Sequence, residues 1–136
     1  MGLFSCAGKR PENLGVKDQH LAPCPNKPNC VSSQSQDDSH FIKPLTYLGT
    51  VEESRQWLKE IITSKPNTTL IKEESDYFWF EFKSALMGFV DDVEFYFPQS
   101  EQIIHVRSAS RLGYSDMGAN RKRIELLRQT FSPSAQ

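Results

Sequence analysis

Residues 77–84 read YFWFEFKS, residues 91–97 read DDVEFYF and residues 103–110 read IIHVRSAS; the alternation in these three runs decides the fold. In the first run Phe78, Phe80 and Phe82 fall on one side, and Tyr77, Trp79, Glu81 and Lys83 on the other. In the second, Val93, Phe95 and Phe97 oppose Asp92, Glu94 and Tyr96. In the third, Ile104, Val106 and Ser108 oppose His105, Arg107 and Ala109. A period of two marks half-buried strands, each with one apolar and one polar face. The connections are short, including a hairpin loop PQSEQ at 98–102, so neighbouring strands are expected to run antiparallel.

Outward from these runs, a fourth strand is expected over about residues 68–73. Thr50 and Glu53 in TVEES have the spacing of a capping box, so a helix is expected over about 51–64. Val51, Trp57, Leu58, Ile61 and Ile62 fall mainly on one side of it, and KPN at 65–67 ends it. A second helix is expected from Met117 to about Phe131, where Ile124, Leu127 and Phe131 recur at three and four residues. Residues 1–45 are rich in Pro, Gly, Ser, Asn and Asp and keep no sustained period, which reads as loop and extended chain. The order helix, four strands, helix implies an α+β fold: an antiparallel sheet of about four strands with helices packed on its apolar face, a two-layer sandwich. The 136 residues suit one core. Residues 1–13 are expected to form a flexible N-terminal tail, 14–131 a single domain and 132–136 a disordered tail.

Charged residues make up 24% and the formal net charge is −1, which excludes a general nucleic-acid binder with its basic excess. No apolar run approaches the roughly 20 residues of a membrane helix. If the Phe-rich face meets the helices, Glu81, Lys83, Asp92, Glu94, His105, Arg107 and Arg111 share the opposite face with Tyr77, Trp79 and Tyr96. Antiparallel neighbours place opposite charges side by side, so the acids of DDVEF are expected to pair with the arginines of RSASR. The bland reading of this face is a solvated lattice of ion pairs. The sharper one is a polar groove, partly covered by the N-terminal segment, that holds a small polar molecule or a peptide. Asp91 points away from Asp92 and Glu94, so the pattern leads to no metal.

The stretch SRLGYSDMGANRKR suggests a second site. A glycine turn, Ser115, Asn120 and a helix start could present N–H groups to an anion, with Arg111, Arg121 and Arg123 adding charge. The competing reading is a helix start capped by Ser115 or Asp116. No complete phosphate loop is present, and no cofactor is expected. Nucleophilic catalysis finds little support: there is no GxSxG elbow, and the histidines at 20, 40 and 105 form no motif. Cys30 with His40 would make a thiol–imidazole pair only if Cys30 were free.

Cys24 and Cys30 frame CPNKPNC. They could close a disulfide, which in the chain-entropy account would stabilise by roughly 2–2.5 kcal/mol, remain free thiols, or serve metal or redox chemistry. No second Cys or His pair completes a standard zinc pattern. The third cysteine, Cys6, follows Leu3, Phe4 and Ser5 in the form of a bacterial lipoprotein cleavage site. A signal also needs a basic start and a longer apolar stretch, which five residues do not supply. The lipid-anchor reading therefore requires coding sequence upstream of Met1. On that reading the protein sits in the bacterial cell envelope or periplasm and touches membrane only through an anchor at Cys6; otherwise it is cytoplasmic.

Together, LAPCPNKPNCVSSQ, FVDDVEF and RSASRLGYSDMGANRKRIE resemble the domain-of-unknown-function family 1499, over about Leu14 to Arg128. Members occur in bacteria and plant plastids, and many look exported, lipidated or directed to the thylakoid lumen. The resemblance thus implies a disulfide between Cys24 and Cys30 and favours an upstream signal. It implies no reaction. The leading expectation is a non-enzymatic, envelope-associated domain that binds a small polar ligand or a partner protein on the charged sheet face, through Tyr77, Glu81, Asp92, Glu94, Arg107, Arg111, Ser115, Asn120 and Arg121. The alternatives are a hydrolase or transferase using Asp92, Glu94 and Arg107, and a structural or assembly factor without a pocket.

Overall fold

The computed structural model describes residues 7–132. Cys6 lies outside the described residues. Two helices and six strands follow one another as β1 (Cys30–Ser32), β2 (Leu45–Thr46), α1 (Val51–Thr63), β3 (Thr68–Glu74), β4 (Tyr77–Lys83), β5 (Val90–Tyr96), β6 (Ile103–Ser110) and α2 (Ala119–Phe131). The sheet order is β1-β6-β5-β4-β3, with β2 also paired to β6, and every pairing is antiparallel. The α+β class, the four long strands and both helices match the sequence reading. The two short strands do not appear in it, because two or three residues are too few to show a period.

The apolar face is built as the alternation requires. Phe78, Phe80, Val93, Phe95, Ile104 and Val106 meet Leu58, Ile61 and Ile62 of α1 and Ile124, Leu127 and Phe131 of α2 in one buried cluster. Helix α1 begins with the expected capping box: Glu53 N–H donates to Thr50 Oγ1 at 3.1 Å, and Thr50 N–H donates to Glu53 Oε1 at 3.1 Å. Val51, expected on the inner side, sits in the first turn and stays exposed. Helix α2 starts two residues later than expected. Met117 and Gly118 both have positive φ, 53° and 81°, which no helix accommodates.

The main departure is on the other face. Residues 8–23 of the N-terminal segment form an irregular strap over Tyr77, Glu94, Tyr96 and Arg107 on this face, while much of β3 stays exposed. Leu21 packs with Tyr77 and Tyr96, and Val16 and Trp79 border them. Residues expected in the tail take part: Arg10 Nε lies 2.7 Å from Glu81 Oε2. Gly8 adopts φ +74°, and a Cβ there would meet the Leu112 side chain at 2.9 Å, so both the turn and the close approach require glycine. Just past the strap, Cys24 and Cys30 form a disulfide with a Cα–Cα distance of 5.7 Å. It ties the end of the strap to β1 and removes Cys30 from any thiol chemistry; His40 instead meets Asp37 and the Lys27 carbonyl.

The strap's contribution can be measured. Leu21→Ala should lower unfolding stability by about 2–4 kcal/mol, because it empties a buried contact between strap and sheet. Leu48→Ala, at a residue 70% exposed, should change it by no more than about 0.5 kcal/mol. Equal, small effects in urea melts would show that the strap does not pack on the sheet in solution.

Candidate functional site

The strand register decides which charges meet. Glu81 stands opposite Asp92, Trp79 opposite Glu94, and Glu94 opposite Arg107. Ala109 is opposite Asp92, so Arg111, two residues on, reaches Asp92 diagonally. Arg111 Nε and Nη2 donate to the two oxygens of Asp92 at 3.1 and 2.6 Å, and Nη2 also donates to Glu81 Oε2 at 2.7 Å. Trp79 Nε1 adds a bond to Asp92 at 3.0 Å. Asp92 is 2% exposed and Glu94 is 0% exposed. Of the two readings of this face, the solvated lattice does not hold: the pairs form a cluster buried beneath the strap.

Glu94 is held differently. It accepts from Tyr77 Oη at 2.6 Å, from the Gly15 N–H of the strap at 3.0 Å and from Arg107 Nη1 at 3.4 Å. Arg107 Nη2 donates to the Pro23 carbonyl at 3.2 Å, while its buried Nε has no hydrogen-bond partner. Burial pushes the Glu94 carboxyl above its ordinary 4.5, against the Tyr77 bond and the Arg107 charge. Burial and the Glu94 charge keep the Tyr77 hydroxyl far above the usual phenol range, so it remains a donor. Glu81 moves the other way. Burial opposes its charge, but Arg10 and Arg111 outweigh burial and hold it below 4.5.

The remaining predicted residues serve the junction of α2 with the sheet. Asn120, 0% exposed, donates to the Asn29 carbonyl, Ser110 Oγ and Asp116, and accepts from Ser108 at 2.6 Å. Asp116 accepts from the N–H groups of Gly118 and Asn120, so the chain's own carboxylate occupies the place proposed for an anion. These bonds outweigh burial and hold Asp116 below its ordinary value. Ser115 Oγ accepts from Met117 N–H. Arg121 donates to the carbonyls of Phe41 and Ser39. Arg123 lies 2.7 Å from Asp91 and over the Phe82 ring at 4.9 Å. Tyr77, Glu81, Asp92, Glu94, Arg107 and Arg111 thus converge under the strap, and Asn120 and Arg121 brace α2. Among the described residues no three His, Cys, Asp or Glu side chains group as a metal site. His105, neutralised further by burial, meets Ser33 Oγ at 2.9 Å rather than Ser108 or Ser110. Ser33 Oγ is also tied to the Val106 backbone at 2.8 and 3.4 Å, which fixes it as a structural link.

What the sequence reading missed is a groove of about 510 Å³ at one end of the sheet. Phe82, Phe89, Leu112 and Met117 line it, with Asp91 and Arg123 on its wall and Ser115 at its rim. Its signal in the sequence was the apolar content of SALMGF and RLGYSDMG, which has no period and so reads as loop.

The model of a protein family of unknown function, DUF1499, matches residues 20–131. The chain belongs to that family. No curated protein and no solved structure matches it.

Two measurements test the buried cluster. Arg111→Ala should cost about 3–5 kcal/mol by leaving the buried Asp92 unpaired, Asp92→Ala should cost less because Arg111 keeps Glu81 as a partner, and the double substitution should cost clearly less than their sum. Additive losses in denaturant melts would mean the two charges do not interact. The second concerns pH. Glu81 has its folded pKa lowered from 4.5, so its stabilisation is present above that value and is lost as pH falls through the folded pKa. The stability gap between the protein and Glu81→Gln should therefore be widest above pH 4.5 and narrow below it. A gap that does not change with pH would contradict the assignment.

Proposed function

We propose that this chain is a non-enzymatic binding domain of the cell envelope, and that its ligand or partner engages the open groove rather than the charged sheet face. The observation that supports the reading is a contrast in availability. Apart from the Nε of Arg107, the buried polar groups of Asp92, Glu94, Arg107 and Arg111 are engaged by one another and by the strap, and Asp92 and Glu94 are closed to solvent. A hydrolase or transferase built on Asp92, Glu94 and Arg107 would need an approach through the strap. Burial raises the pKa of Glu94, and the same burial removes its carboxyl from a substrate's reach. The groove, by contrast, is open; polar and apolar residues line it in equal number, and most of its exposed surface is apolar. Such a lining suits a molecule with an apolar body and a polar end.

The envelope placement draws on the Cys6 pattern and on the disulfide, which persists in oxidising compartments. Among the described residues no helix is long and apolar enough to cross a membrane; a lipid on Cys6 is the attachment that the residues around it suggest.

Native mass spectrometry of the protein purified from its source tests this directly. The expected spectrum shows a diacylated Cys6 and a bound amphiphile or partner, and the bound species is lost from Phe89→Asp while the melting temperature holds. A wild-type protein with nothing bound, or a Phe89→Asp variant that keeps its ligand, would overturn the groove assignment.

A further inference from the structure

Ten large hydrophobic side chains are exposed among the described residues, and six of them, Leu86, Met87, Phe89, Leu112, Tyr114 and Met117, lie on two short loops. Scattered apolar residues on a surface need no explanation, but a concentration of this kind does. The register explains why the loops adjoin. Lys83 is opposite Val90, and Asp91 is opposite Ser110, so β4 ends, β5 begins and β6 ends along one edge of the sheet. The turn 84–89 and the loop 111–118 both leave from that edge and flank the groove. At their tips Leu86 is 91% exposed and Met117 is 96% exposed.

The charge at this end leans positive. Asp91 is paired with Arg123, while Asp116 accepts from backbone N–H groups and Asn120 and keeps its negative charge. Lys9, Lys83 and Lys122 are exposed and make no ion pair among the described residues. Lys9 follows Gly8, which abuts Leu112, so the N-terminal strap reaches the same end. Cys6 stands two residues before Gly8 in sequence, a span of at most about 7 Å of extended chain.

We propose that this end of the molecule docks on an anionic bilayer surface, with the turn 84–89 and the loop 112–117 seated among the headgroups and upper acyl chains. Apolar side chains at protruding tips find little burial on a rigid protein surface, whereas a fluid interface closes around them. Phe89 and Tyr114 suit the headgroup level, and the lysines suit anionic lipid. The inference rests on the groove end being the working surface, and it names the partner of that surface as lipid. A lipid on Cys6 would add to this docking from the same side, but the loops act without it.

The test uses the full chain with Cys6→Ser, so that no acyl anchor contributes. It is sedimented with vesicles of phosphatidylcholine and phosphatidylglycerol at about three to one, and with phosphatidylcholine alone. The expected result is binding to the mixed vesicles that weakens with added salt and is weaker on neutral ones. Leu86→Glu with Met117→Glu should reduce the partition at least about tenfold at an unchanged melting temperature, since neither side chain is packed. Lys9, Lys83 and Lys122 changed to Glu should reduce it as well, without touching the loops' apolar tips. No binding to the mixed vesicles, or binding unaffected by the loop substitutions, overturns the proposal. A photo-crosslinker at position 117 that captures protein rather than lipid in isolated membranes also overturns it. If vesicles are not bound but Phe89→Asp still strips a ligand from the purified protein, lipid docking falls and the groove reading stands. If vesicles are bound and nothing occupies the groove, the reverse holds.

Discussion

Asp92 lies on the central strand β5 with its carboxylate removed from water, and its charge has to be neutralised where it stands. An isolated carboxylate in that position would cost several kcal/mol or would give up its charge. Arg111 answers it with two parallel hydrogen bonds, Trp79 supplies a third, and Glu81 accepts from the same Nη2 of Arg111. This arrangement ties three strand ends and the strap into one requirement. The strap excludes water and so raises the energetic stakes of every pair, and it also provides partners: Arg10 for Glu81, the Gly15 N–H for Glu94 and the Pro23 carbonyl for Arg107. Without the strap the cluster would be an exposed lattice worth little; without the cluster the strap would cover unpaired charges. The disulfide and Leu21 keep the strap in place where neither hydrogen bonds nor periodic structure could.

The neighbouring carboxylate shows how alternation distributes such duties. Asp91 and Asp92 are adjacent in sequence and lie on opposite faces of β5. Asp92 faces the strap, while Asp91 faces α2 and receives Arg123, which also bonds Ser108 and Asn120. Asn120 in turn reaches the Asn29 carbonyl beside β1 and Ser110 at the end of β6. One pair of acids therefore anchors both layers that cover the sheet.

The fold was legible wherever periodicity carried it. The Phe alternation of residues 77–84 and the capping box at Thr50 fixed a strand and a helix start to within a residue or two, and the pairing of DDVEF with RSASR followed from antiparallel register. The strap was not legible, because its residues are held by single contacts spread over distant partners: Gly8 on Leu112, Arg10 on Glu81, Gly15 on Glu94. Such contacts leave no local pattern. The same blindness left the charged face with two readings, since pattern alone cannot tell an open polar face from a polar face beneath a loop. The start of α2 was misplaced because Ser115 and Asp116 have the composition of a cap, while the left-handed Met117 and Gly118 hold the chain out of the helix for two more residues. The groove was illegible because it lies between two loops that are remote in sequence.

The polar richness of residues 107–125 invites a binding site, and the structure redirects that inference. Arg107, Ser108, Ser110, Arg111, Asp116, Asn120, Arg121 and Arg123 each bond to a named partner within the chain, and together they join β6, α2, the strap and the segment around Phe41. Their polarity is accounted for by folding: a short helix and a strap need directional bonds to hold them on a small sheet. The residues of the same stretch that folding leaves exposed are Leu112, Gly113, Tyr114, Ser115, Met117, Gly118, Ala119, Lys122 and Glu125. Three of these are large hydrophobic side chains turned to solvent, which confers no stability on an isolated domain. On the reading proposed above, a chain that spends many of its polar residues on internal structure and exposes apolar ones at its rim would carry its interaction chemistry at the loop tips rather than among the charges.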